Sequence, residues 1–205
     1  PKSNVCRSPI AEGLAKKWLS ERHDVNVQDL DKIGYTVRSR GCSTAFEPAG
    51  SPASSHGVSI MRQEYGMDIT THRSAMLSEN DVLDATHIYC MTRRHHDAVR
   101  DLWQRVIATS PGLQVSTLTS SGSLPSWGAS EDHRNEKKAR PARAPPALSV
   151  FDPEIPDPWH GTMDLYRECT KMISTAVKKA LEKEIPIVSV PRQQQQAEDN
   201  PTGPR

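Results

Sequence analysis

Asn4-Val5-Cys6-Arg7-Ser8-Pro9 is the first stretch of this 205-residue chain whose residue types could act together on a substrate. It leads straight into an apolar-periodic segment. Backbone N–H groups at the start of a helix lack intrahelical acceptors and attract anions. Successive N–H groups in a tight loop form an anion nest, and Arg7 adds a planar fork of donors that matches two phosphate oxygens. Together these cradle a phosphate, although the six residues alone also read as a capped helix with a surface arginine. A second stretch, Asp152-Pro153-Glu154-Ile155-Pro156-Asp157-Pro158-Trp159-His160-Gly161, sets two aspartates beside an aromatic residue. Proline holds the residue before it extended. An aspartate so held against an aromatic wall suits a general acid with a raised pKa. Asp152 and Asp157 compete for that role, and a rigid proline turn before a helix is the plainer reading.

The elements that must position these residues are legible in the hydrophobic periodicity. Residues 9–20 read as a helix with Ser8 as its cap and Pro9 in its first turn. Ile10, Leu14 and Trp18, beside Ala11, Ala15 and Leu19, give it one apolar face. Tyr35–Arg40 alternates weakly, as a strand does. A helix from about Ser54 to Tyr65 stops at Gly66, and 78–84 is a short helix. Thr86–Met91 reads as a buried strand, followed by a polar helix with Val99, Leu102, Trp103 and Val106, and Leu113–Leu118 as a further strand. Residues 119–147 are rich in Ser, Gly, Pro, Ala, Lys and Arg without either period and read as a disordered insertion. Order returns at Leu148. Thr162 caps a last helix with the stripe Leu165, Cys169, Met172, Ile173, Ala176, Val177 and Leu181. Residues 185–205 read as a disordered tail. Strands alternating with helices imply an α/β fold, a parallel sheet covered on both faces. Sites in such sheets lie beyond the carboxyl ends of the strands, where the loop before Pro9 and the segment before Thr162 could meet.

Composition bounds the partners. The net charge of +1 gives no reason to expect nucleic acid or a membrane surface. No apolar run approaches the ~20 residues that span a bilayer. The four cysteines, Cys6, Cys42, Cys90 and Cys169, are scattered without a C-x-x-C pair, which suggests neither zinc nor a disulfide framework and favours a reducing, cytoplasmic setting. His95-His96-Asp97 reads as a solvated helix face, because adjacent helical residues point about 100° apart. Lys137-Lys138-Ala139-Arg140 reads as a solubilising stretch within the insertion.

With these residues in place, the chain resembles the low-molecular-weight protein tyrosine phosphatases. That family's loop, C-x-G-N-x-C-R-S-P-x-A-E, is matched by Asn4, Cys6, Arg7, Ser8, Pro9, Ala11 and Glu12, and its late D-P-aromatic-x-G motif by Asp157-Pro158-Trp159-His160-Gly161. Ser39-Arg40-Gly41 and Gly66–Ser74 look like internal segments of the family. The resemblance covers roughly residues 4–118 and 148–184. It implies a three-layer sandwich around a four-stranded parallel sheet, in one phosphatase domain over 1–184. It implies hydrolysis of phosphotyrosine in a protein substrate through a cysteinyl-phosphate intermediate, with no metal or cofactor. Asn4, Val5, Cys6, Arg7 and Ser8 would bind phosphate. Arg7 and Asp157 would be catalytic, Ser39 and His72 would support Asn4, and Trp159 would wall an aromatic substrate.

One departure is severe. Six places before Arg7, where the family has its nucleophilic cysteine, stands Pro1, and Ser3 replaces the loop glycine. The first, central strand has no counterpart. We therefore expect the given chain to be incomplete at its N-terminus, as a fragment or a wrongly assembled reading frame, and inactive as given. The alternatives are a pseudophosphatase that reads phosphate or phosphotyrosine and an arsenate reductase, which shares the loop but relays through further cysteines.

Overall fold

Ile10, Leu14, Ala15 and Leu19 recur at helical spacing, and they are the residues that helix α1 (Arg7–His23) buries. The computed structural model describes residues 3–43, 47–109 and 146–184. After α1 come a 3₁₀ turn (Val27–Ile33), α2 (Ser55–Tyr65), α3 (Glu79–Asp84), β1 (His87–Cys90), α4 (Arg93–Thr109), β2 (Ala147–Val150) and α5 (Met163–Glu184). The apolar faces of α1 and α5 meet, and Ile10, Leu14, Met61, Ile155, Ile173 and Val177 pack in one core cluster. Burying each such side chain is worth roughly 1.5–3 kcal/mol, so this seam holds the N-terminal loop against the C-terminal helix.

The helix boundaries follow local chemistry. Ser54 accepts from the Gly57 N–H at the start of α2, and Gly66 closes that helix in the left-handed region at φ 65°. Ser78 and Asp81 form a capping box on α3. Thr162 Oγ1 accepts from the Leu165 N–H at the start of α5.

Strand β1 pairs in parallel with β2, from His87 opposite Ala147 to Cys90 opposite Val150. The chain leaving β2 keeps to β1's carboxyl end: Phe151 N–H donates to Cys90 O at 3.0 Å and Ile155 N–H to Met91 O at 2.9 Å. That run carries Asp157 toward the start of α1.

Several expectations change. Tyr35–Arg40 is not a strand; only Gly41 forms a bridge, parallel to Met76. A weakly alternating segment becomes a strand only where a neighbour completes its ladder, and among the described residues none does. The described residues thus hold two paired strands rather than four. Thr86–Met91 shortens to His87–Cys90 and is half-buried, with Cys90 its one fully buried residue. The strand at 147–150 was not anticipated, and Ala147 begins it, so the expected insertion cannot extend through 147. Leu165, placed on the buried stripe of α5, is exposed, while Tyr166 and Thr170 are buried. The expected strand at 113–118, the insertion from 119 to 145 with its basic stretch, and the tail at 185–205 lie outside the described residues.

Candidate active site

Residues 3–8 form a buried loop ending in α1. Asn4 sits in the left-handed region at φ 57°, which asparagine tolerates better than most residues. Its Nδ2 donates to Ser39 O at 3.2 Å, and its carbonyl accepts from His72 Nε2 at 2.8 Å. The Ser39 hydroxyl is turned the other way: Glu12 Oε2 accepts from it at 2.7 Å and from the Ser39 N–H at 3.0 Å. Ser39 and His72 thus reach Asn4 through one carbonyl each, Ser39's own and Asn4's. Glu12, which sequence reasoning left without a role, anchors Ser39 from one turn inside α1.

Burial works to raise the Glu12 carboxyl, but hydrogen bonds from Lys16 and Ser39 outweigh it and hold the group below its ordinary 4.5. A depressed carboxylate stabilises the fold above its unfolded pKa, and that contribution disappears as pH falls through the folded value. Urea midpoints measured from pH 6 to pH 3 are expected to fall below about pH 4.3, and to fall less in Glu12→Gln. Asp81, held low by Arg40 and Ser78 against its own burial, titrates in the same window in both proteins and cancels in the comparison.

Ser8 was expected to cap α1. Instead Cys6 occupies the cap position, no side chain caps the helix, and Ser8 lies within its first turn. The first-turn N–H groups keep their free donors as a result. Arg7 is 3% exposed. Its Nη1 donates to Ile155 O at 2.7 Å and its Nη2 to Asp157 Oδ2 at 2.8 Å, joining residues 150 positions apart in sequence. Burial lowers the Arg7 pKa, and Asp157, 46% exposed, opposes that shift. Three buried polar atoms of the loop have no protein partner: Asn4 Oδ1, Arg7 Nε and Ser8 Oγ. Leaving such a group unpaired costs roughly 1–3 kcal/mol, and the three fall within five residues of one loop.

Asp152 is exposed, and it is Asp157 that meets Arg7. Pro158 behind it is fully buried. A Cβ on Gly161 would stand 2.6 Å from Leu165 Cδ2 and 2.8 Å from Pro158 O, so the tight turn after Asp157 requires glycine there. Trp159 packs on the cluster of Val5, Cys6, Ile60 and Tyr166. Cys6 is 3% exposed; burial pushes its thiol up, and Tyr166 Oη donates to its sulfur at 3.2 Å. No sequence signal assigned Tyr166 this contact. Pro1, at the position expected for the nucleophile, lies outside the described residues.

His95 departs from its expected solvated face. It is 8% exposed, and its Nδ1 lies 2.9 Å from Thr92 Oγ1. Among the described residues no three His, Cys, Asp or Glu side chains gather as a metal site.

A wide set of solved structures shares this architecture. Wzb of Vibrio vulnificus, solved in complex with benzylphosphonate, aligns with a TM-score of 0.59 at 17% identity, over 89% of this chain and 94% of its own. The low-molecular-weight protein tyrosine phosphatase of T. tengcongensis aligns with a TM-score of 0.56 at 21% identity, over 89% and 94%. The chain has the fold of the low-molecular-weight protein tyrosine phosphatases. The α/β fold that the resemblance implied is therefore shared with these structures, and its described sheet has two strands. In sequence, a protein-arginine-phosphatase of Geobacillus stearothermophilus is 24% identical over 180 residues, 88% of this chain and 89% of the relative. No family model matches the chain.

Proposed function

We propose that this is a protein phosphatase scaffold whose loop 3–8, Arg7 and Asp157 take a phosphotyrosyl side chain. The observation that carries the reading is the buried Arg7 guanidinium at an uncapped helix start, in contact with Asp157. In the full reaction a thiolate six places before Arg7 attacks phosphorus. The S–P bond forms, the ester P–O bond breaks, and Asp157 gives its proton to the departing phenolate. Water then attacks phosphorus, its proton passes to Asp157, and the S–P bond breaks to release phosphate and the thiolate. Arg7 and the loop N–H groups hold the charge spread over the phosphoryl oxygens throughout. The positive field comes from the protein, so the scheme includes no metal.

In the sequence, Pro1 takes the position of that thiolate, so the chain binds phosphate esters without turning them over. Cys6 does not take over the attack. It lies in the apolar cluster against Tyr166, and a buried thiol with a raised pKa is a poor nucleophile. The arginine phosphatase relative raises phosphoarginine as the alternative substrate. Val5, 5% exposed and packed with Trp159, favours a flat aryl group, since it offers no hydroxyl to a guanidinium. A phosphorylated protein is the natural partner, and four free cysteines suit a reducing, cytoplasmic setting. No helix among the described residues is long and apolar enough to cross a membrane.

The test is aryl phosphate turnover in three chains. The given chain should show none, and Pro1→Cys should gain it. Adding Cys6→Ser to Pro1→Cys should retain the gained rate within about tenfold, since that thiol stays out of the covalent step. Turnover by the given chain that Cys6→Ser abolishes would make Cys6 the nucleophile and overturn this assignment.

A further inference from the structure

The first turn of α4 and the segment before Asp157 border an open cavity of about 310 Å³, lined by Arg7, Asp157, Thr92, Arg94, His95 and Glu154 among others. Most of its charges answer one another. Arg7 and Asp157 pair directly. Glu154 Oε1 accepts from the Arg93 N–H at 3.2 Å and so lies on the start of α4. His95 meets Thr92. Asp97, one turn on, pairs with Arg100 at 3.3 Å. Arg94 differs: it is exposed, and no carboxylate among the described residues pairs with it. A long cationic side chain therefore stands on the wall of the cavity whose floor is the buried Arg7.

We propose that Arg94 is a specificity residue that reads an acidic side chain beside the phosphorylated one, making an acidic phosphopeptide segment the preferred substrate. The inference rests on the phosphate-site reading given above. An extended peptide advances about 3.3 Å per residue, so a residue one or two places from the phosphotyrosine lies within reach of an arginine on the same cavity wall. Phosphate bound at Arg7 fixes the peptide, and Arg94 selects among fixed peptides. An exposed charge pair of this kind changes affinity by up to about fivefold.

The test uses the given chain and calorimetric titration with two phosphotyrosyl peptides, identical except for Glu or Lys immediately after the phosphotyrosine. The wild type should bind the Glu peptide more tightly, by up to about fivefold. Arg94→Ala should bind the two about equally, and Arg94→Glu should prefer the Lys peptide. A preference for the Glu peptide that survives in Arg94→Ala, or no preference in a wild type that binds benzylphosphonate, overturns the role of Arg94 and leaves the phosphate site standing. A wild type that binds neither benzylphosphonate nor either peptide overturns the phosphate site, and the inference with it.

Discussion

Arg7→Ala is expected to weaken benzylphosphonate binding by about a hundredfold, as charged hydrogen bonds buried at an interface do when one partner is truncated. The guanidinium is 3% exposed and supplies the charge of the site from the first turn of α1. Its removal costs more than an attraction. Asp157 Oδ2 and Ile155 O both lose their donor, so the site becomes net negative where the ligand's oxygens must lie. Arg7→Lys should recover only part of the affinity, because an ammonium is a point charge and cannot present two parallel donors. Calorimetric titration of the three proteins, with a thermal melt beside each to register folding, gives the comparison. Equal affinity in wild type and Arg7→Ala would remove Arg7 from the phosphate site.

Asp157→Ala is expected to act in opposite directions on binding and on chemistry. In the chain carrying Pro1→Cys, loss of the proton donor should slow aryl phosphate turnover by about 10²–10⁴-fold, the usual contribution of a positioned acid. The binding of benzylphosphonate should tighten at the same time. Arg7 Nη2 now spends its hydrogen bond on Asp157, and without that carboxylate the fork is free for the ligand and the local negative charge is gone. The dependence on leaving group sharpens the test. Esters of acidic phenols leave without a proton and should be slowed least, and those of ordinary phenols most. Uniform slowing across leaving groups would make Asp157 a structural partner of Arg7 and no acid.

The helices were legible because each announces itself locally. Ile10, Leu14 and Leu19 on α1, Ser54 and Gly66 at the ends of α2, Ser78 before α3 and Thr162 before α5 need only their near neighbours to be read. Strands depend on partners far along the chain. Residues 35–40 alternate and still form no ladder, whereas Ala147–Val150, with no alternation to notice, becomes a strand because β1 lies alongside. The meeting of Arg7 and Asp157 was foreseeable only through two motifs read together, since nothing near either residue names the other. The part played by Glu12 lay inside the loop motif but required knowing that Ser39 folds back onto α1. His95 was misplaced because the direction a helix faces is set by what packs on it, and Glu154, whose carboxylate accepts from the Arg93 N–H at the start of α4, is remote in sequence.

The most direct measurement is a crystal structure of the given chain with benzylphosphonate. The phosphonate oxygens should lie within hydrogen-bond distance of Arg7 and of the first-turn N–H groups of α1, with the ring beside Val5 and Trp159 and the Arg7–Asp157 contact opened. A phosphonate seated elsewhere, with Arg7 still holding Asp157 at 2.8 Å, would contradict it.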